Sequence, residues 1–319
     1  QTMVNDFKPF GNAMAKLSKK NQTIEQDGEL VKLTNAVDES LNIDTSYEIY
    51  LGLYQSIIGN DQNKIYKKLS KDFFDFIIID ECHRGSAKED SLWREVLDYF
   101  SGATHLGLTA TPKETKYISN IKYFGEPVYT YSLNQGIEDG FLSPYKIHRI
   151  HIDRDIDGYR PEKNKLDRDG RPIEDKIYKS HEFDRKIVID DRTKLVAKKV
   201  TEFLKENNER HQKAIIFCVD REHAGRMRQA MINCNSDIVN KYENYIMRIV
   251  SGDDQGLEQL GNFMDPESLN PSIVTTSKLL STGVDILTCK LIVLDKEIAS
   301  MTEFKQIIGR GTRIREAEG

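Results

Sequence analysis

Short apolar runs recur along this chain, and each stops abruptly at a carboxylate or a cluster of hydroxyls. Phe73–Asp80 (FFDFIIID) is almost continuously apolar and ends in an acid pair, while His105–Thr109 (HLGLT) ends at Ala110-Thr111-Pro112. Continuous short runs of this kind are expected of strands buried in a parallel sheet. Ser91–Phe100 (SLWREVLDYF) lies between them with helical spacing, and Glu48–Ile58 (EIYLGLYQSII) reads as a further strand. This alternation predicts an α/β fold with mostly parallel sheets. The pattern resumes at Lys213–Cys218 (KAIIFC), followed by a helix with Asp220 as its N-cap. Arg248–Ser251, Ser272–Thr276 and Leu291–Asp295 are further strands, and Ser300 with Glu303 forms an S-x-x-E capping box that opens a helix at Met301.

Between the two α/β stretches lies a densely charged segment carrying Gly and Pro, which reads as an exposed linker or insertion. A chain of 319 residues exceeds what one hydrophobic core supports. The expected organisation is a domain over 1–145, a charged linker over 146–190 and a second domain over 191–319. No apolar run approaches the ~20 residues that span a bilayer. Cys82, Cys218, Cys234 and Cys289 form no C-x-x-C pair, which fits buried free thiols in a reducing cytoplasm better than a zinc site. The net charge of −5 argues against binding nucleic acid by bulk charge, so any such track must be a local patch.

Asp80-Glu81-Cys82-His83 carries the strongest chemical signal. Ligands of open α/β sheets bind beyond the carboxyl ends of the strands, so both carboxylates face that crevice. An Asp after a buried strand is the Walker-B arrangement that holds Mg²⁺ on a nucleotide, and the neighbouring Glu can orient and deprotonate an attacking water. Thr109 and Thr111, at the next strand end, can hydrogen-bond to those carboxylates. Thr275-Thr276-Ser277 and Ser281-Thr282-Gly283-Val284-Asp285 place hydroxyls and a glycine where a phosphate backbone could approach closely. If the helix from Met301 continues, Gln306, Arg310 and Arg313 share one face, suited to phosphoryl charge.

In this order, DECH, TAT, TTS…STGVD and QIIGRGTR resemble motifs II, III, V and VI of superfamily-two helicases. Lys213–Cys218 resembles motif IV, and Leu53-Tyr54-Gln55-Ser56 the motif Ib region. More narrowly, DECHRGS, GLTATP, TGVDI and QIIGRGTRIRE resemble the motor (R) subunit of type I restriction enzymes. The resemblance implies two RecA-like domains with ATP between them. Asp80 then takes Mg²⁺ and Glu81 the attacking water, while His83, Thr109 and Thr111 couple nucleotide state to DNA grip. Gly283 and Asp285 reach the nucleotide or Mg²⁺ region, and Arg310 and Arg313 act as arginine fingers with Gln306 beside them. Tyr54, Gln55, Thr275 and Thr276 lie along the DNA phosphates.

The implied cofactors are ATP and Mg²⁺. The implied partners are double-stranded DNA and the specificity and methyltransferase subunits of a restriction complex, with no membrane. No G-x-x-x-x-G-K-[ST] phosphate loop occurs in these residues. The first domain is therefore expected to be truncated at its N-terminus, with the parent protein translocating DNA and these residues alone inactive. Rival readings are a type III restriction or DNA-repair helicase, and a degenerate motor that grips nucleic acid without turnover.

Overall fold

The computed structural model describes residues 10, 13–18, 23–26, 29–32, 34–58, 64–82, 94–109, 123–162, 165–167, 170–185, 187–281, 286, 288–298 and 300–314. The chain divides into two compact units, Gln1–Thr130 and Tyr131–Gly319. Residues 131–190 thus group with the second unit rather than with the first domain or a separate linker.

In the first unit, β1 (Met14–Lys16) is joined to β4 (Ile49–Leu51) by a hairpin, β2 (Thr23–Gln26) with β3 (Glu29–Lys32). β1 and β4 pair in parallel, as do β5 (Phe76–Ile79) and β6 (Thr104–Gly107). Ala15, Leu17, Ala36, Val37 and Ile65 form one buried cluster, and Tyr66, Leu69 and Phe100 a second. Phe74 meets Phe100 edge-on at 5.0 Å between ring centres, an arrangement that adds to simple burial.

Two expectations change here. The run Glu48–Ile58 is not one strand: after β4 the chain turns at Gly52 into a short helix α1 (Tyr54–Ile58). A Cβ on Gly52 would lie 2.5 Å from Ile57 Cδ1, so the turn folds Ile57 back onto the glycine, and Ile57 N–H donates to Leu53 O. β5 also departs from a strand buried on both faces, because Phe76 and Ile78 are each about half exposed.

The second unit is built on a four-stranded sheet in the order β10-β7-β9-β8, all parallel. The strands are β7 (Lys213–Cys218), β8 (Ile246–Arg248), β9 (Ile273–Thr276) and β10 (Cys289–Asp295). Every residue of β7 is buried, and successive side chains serve opposite faces. Before β7 come α2 (Leu133–Glu138), α3 (Asp153–Asp157) and α4 (Asp190–Glu206); after it come α5 (Arg221–Cys234) and α6 (Met301–Ile308). On one face Ala214, Ile216 and Cys218 pack against Ala197, Val200 and Leu204 of α4 and Ala224, Met227 and Met231 of α5. On the other, Ile215 and Phe217 pack with Ile249, Phe263, Val274 and Ile307 of α6.

The charged segment has a small core of its own. Tyr178, Phe183, Ile187 and Ile189 are buried together, with Tyr159 and Ile173 partly buried against them. Tyr159 and Tyr178 exchange both main-chain hydrogen bonds at 2.8 Å. These apolar residues come in ones, twos and threes among many Asp, Glu, Lys and Arg, too short a set of runs to mark a helix or strand. The segment therefore reads as an exposed linker although it packs.

Candidate functional site

In the first unit the acid pair sits where the alternation places it. Asp80 follows directly on β5 and is exposed, whereas Glu81 is partly buried and Cys82 is buried. Cys82 N–H donates to Leu108 O and Leu108 N–H to Ile79 O, which draws the turn after β6, with Thr109, against the acid turn. Glu81 has φ 51°, a left-handed conformation that a side chain other than Gly adopts only at a cost. Asp80 Oδ1 accepts the Glu81 N–H at 2.8 Å and braces that turn. Mg²⁺ is usually held by one or two carboxylates plus substrate phosphates rather than by a protein cage, and an exposed Asp80 fits that donor set. His83, Thr111, Gly283 and Asp285 lie outside the described residues, as do the side chains of Tyr54 and Gln55 in α1.

In the second unit, Ser300 caps α6 as expected, its Oγ accepting the Glu303 N–H at 3.1 Å. The other half of the capping box is replaced: the Glu303 carboxylate accepts from Lys296 Nζ instead. The helix ends at Ile308 with Gly309 as its C-cap, so Gln306, Arg310 and Arg313 do not share a helix face. Gln306 is on α6, Arg310 lies in the following turn, and Arg313 pairs with Leu142 in an antiparallel bridge. The turn passes close to β10, where a Cβ on Gly311 would lie 3.0 Å from Ile292 Cδ1.

Thr275 and Thr276 are wholly buried within β9, between β7 and β8, and Thr275 Oγ1 donates to Ala224 O in α5. A phosphate backbone cannot reach hydroxyls in that position, so this part of the expected DNA track is corrected. The strand reaches its end at Ser277 and Lys278, which line a cleft of about 380 Å³ with Val219, Asp220, Arg221 and Glu222.

A buried ionic network, which the sequence reading missed, lies at the carboxyl ends of β7 and β10. Arg192 Nη1 donates to Asp295 Oδ1 at 2.7 Å, and its Nε to Asp155 Oδ1 at 2.7 Å. Arg226 Nη2 donates to Asp184 Oδ1 at 2.6 Å. His223 is fully buried, its Nδ1 accepting the Val219 N–H at 3.2 Å, which assigns the ring proton to Nε2. That Nε2 lies 3.2 Å from Asp295 Oδ2, close but poorly aligned. Burial alone would raise the Asp295 carboxyl, yet His223 and the Arg192 charge hold it below the usual carboxylate range. Burial would likewise lower Arg192, but its bonds to Asp155 and the Asp295 charge hold it above its ordinary value. Burial, with Asp295 and Asp184 nearby, pushes the Cys218 thiol well up, so it stays protonated. Nothing in the sequence flags Asp155 or Asp184 as partners, because their contacts span 37 and 42 residues.

Breaking a buried ion pair strands its partner. Arg192→Met should destabilise the second unit by about 3–5 kcal/mol, read as a shifted denaturant midpoint. Because the Asp295 value is depressed in the fold, its contribution is complete above the ordinary carboxylate value of about 4 and fades as pH falls through its own lower value. The difference between wild type and Arg192→Met should therefore narrow in acid.

The comparisons with known proteins fall on both units. Residues 1–114 match the family model of the type III restriction enzyme res subunit, and residues 196–315 that of the helicase conserved C-terminal domain. The whole chain is 53% identical, over 320 aligned residues, to 37% of the Escherichia coli type I restriction enzyme EcoAI endonuclease subunit. The EcoKI endonuclease subunit of Escherichia coli K12 is 28% identical over 76% of this chain and 22% of its own length. A fragment structure assigned to the HsdR subunit of a type I restriction enzyme from Vibrio vulnificus YJ016 superposes with a TM-score of 0.71 at 40% identity, covering 98% of this chain and 49% of that one. The DNA-bound type ISP restriction-modification enzyme LlaBIII, at 19% identity and a TM-score of 0.50 over 84% of this chain and 19% of its own, shares the fold alone. The chain spans 37% of the first of these curated relatives and 22% of the second. Along its whole length it is thus homologous to part of a type I restriction endonuclease subunit, and it carries helicase-type domains.

Proposed function

We propose that the full gene product hydrolyses ATP to translocate double-stranded DNA, in a complex with specificity and methyltransferase subunits that couples movement to cleavage. The observation that carries this reading is the acid turn: Asp80 and Glu81 stand at the carboxyl end of a parallel strand, with Glu81 held at φ 51°. A costly left-handed Glu, braced by Asp80 and tied to the Thr109 turn, is the kind of strain that collects at reacting centres. Mg²⁺ bound with ATP supplies charge neutralisation for the transferred phosphoryl group. Asp80 holds that ion, and Glu81 orients the attacking water and takes its proton. Thr109, with Thr111 and His83, links the acid turn to DNA grip. Gln306, Arg310 and Arg313, with Gly283 and Asp285, bring positive charge and close backbone to the phosphates. Along the DNA, Tyr54 and Gln55 act in the first unit, and the exposed Lys278 replaces the buried threonines in the second.

The test is ATP turnover by the full gene product with its partner subunits, with and without linear duplex DNA, alongside displacement of a third strand from a DNA triplex. Duplex DNA should raise turnover at least about ten-fold and the third strand should be released. DNA binding without stimulated turnover would support a degenerate motor instead.

A further inference from the structure

The helix that leads into Arg310 is fastened to β10 by a contact that no motif contains. Lys296 follows Asp295 at the end of β10; its side chain is 7% exposed, and its Nζ donates to Glu303 Oε1 at 2.5 Å. Glu303 occupies the third position of α6, where such a carboxylate commonly folds back onto the N-cap backbone. Here it is drawn to Lys296 instead. The apolar attachments of α6 are Ile307, buried among Ile286, Ile292 and Leu294, and the close approach of Gly311 to Ile292 just beyond its end. Such contacts are non-directional and by themselves set neither the register nor the roll of a short helix. A charge-assisted hydrogen bond at its first turn fixes both. On the other side, Lys296 is one peptide bond from Asp295, which Arg192 ties to Asp155 of the charged segment.

We infer that Lys296 is a positioning residue, which sets through Glu303 the rotation and register of α6 and hence the aim of Gln306 and Arg310. The inference rests on the ATPase reading given above. It gives the packed charged segment a purpose as well, since it anchors the strand end from which Lys296 reaches out.

Lys296→Met in the full gene product separates this role from a merely structural one. Glu303 is 32% exposed, so without its partner it can return to the N-cap or to water, and the fold should survive. The expected result is a fall of about ten-fold in DNA-stimulated kcat for ATP, with KM and the melting temperature nearly unchanged. Lys296→Arg, which keeps the charge, should restore kcat to within about two-fold of wild type. Amide exchange over residues 301–310 should quicken about ten-fold in the Met variant and not in the Arg variant. Wild-type kcat and exchange in Lys296→Met overturn the inference. So does a kcat loss that follows a falling melting temperature and that Lys296→Arg fails to restore. A wild-type protein without DNA-stimulated turnover sinks the functional reading instead, and the exchange measurement then still decides whether Lys296 fixes the helix.

Discussion

Arg310→Ala in the full gene product should lower DNA-stimulated ATP turnover by about 10³- to 10⁵-fold, the range for removing an arginine finger, or roughly 4–7 kcal/mol of barrier. The loss should fall on chemistry and not on folding. The turn that carries Arg310 is held by main-chain bonds from Arg310 N–H to Ile307 O and from Gly311 N–H to Ile308 O, which an alanine keeps. Arg313→Ala should behave alike, because its backbone is pinned by the bridge to Leu142 and by Ser143 N–H donating to Thr312 O, while its side chain is exposed. Arg310→Lys should recover little, since a lysine lacks the planar fork that meets two phosphoryl oxygens at once. The checks are turnover at saturating duplex DNA, nucleotide affinity and the denaturant midpoint. Turnover within ten-fold of wild type in both alanine variants would remove the arginines from the mechanism.

That prediction depends on where the arginines stand, and there the sequence was only partly legible. The strands that carry the motifs could be read because each is a short apolar run with an abrupt polar end. β7 falls on the residues expected, and Asp220 and Ser300 cap the helices expected of them. The shared helix face of Gln306, Arg310 and Arg313 could not be read correctly. Local spacing permits the helix to continue, but it stops at Ile308 and the chain then packs against Ile292 and pairs with Leu142, contacts that are tertiary. The threonines of β9 failed for a related reason. A hydroxyl at a predicted strand end looks available, yet the ladder extends through Thr276 and buries both residues. The ionic network lay beyond reach altogether: Asp155, Asp184, Arg192, His223, Arg226 and Asp295 become neighbours only when the charged segment folds onto the sheet.

Glu81 offers the converse test, because there stability and activity should move in opposite directions. Its φ of 51° costs the fold on the order of 1 kcal/mol or more, and glycine takes that conformation without steric penalty. Glu81→Gly should therefore stabilise the first unit by about 0.5–1 kcal/mol, the relief exceeding the extra chain entropy that glycine loses on folding. The same change should cut ATP turnover by about 10²- to 10⁴-fold, the worth of a positioned general base. Glu81→Gln separates the two effects. It keeps the side-chain length and the left-handed backbone, so stability should stay at the wild-type level, while turnover should fall as far as in the glycine variant. Strain retained at a strand end only because its side chain must face a reacting water predicts that pairing. A Gln variant that turns over normally would leave the strained glutamate without a catalytic reason. A Gly variant less stable than wild type would show that the Glu81 side chain holds the turn together rather than being forced into it.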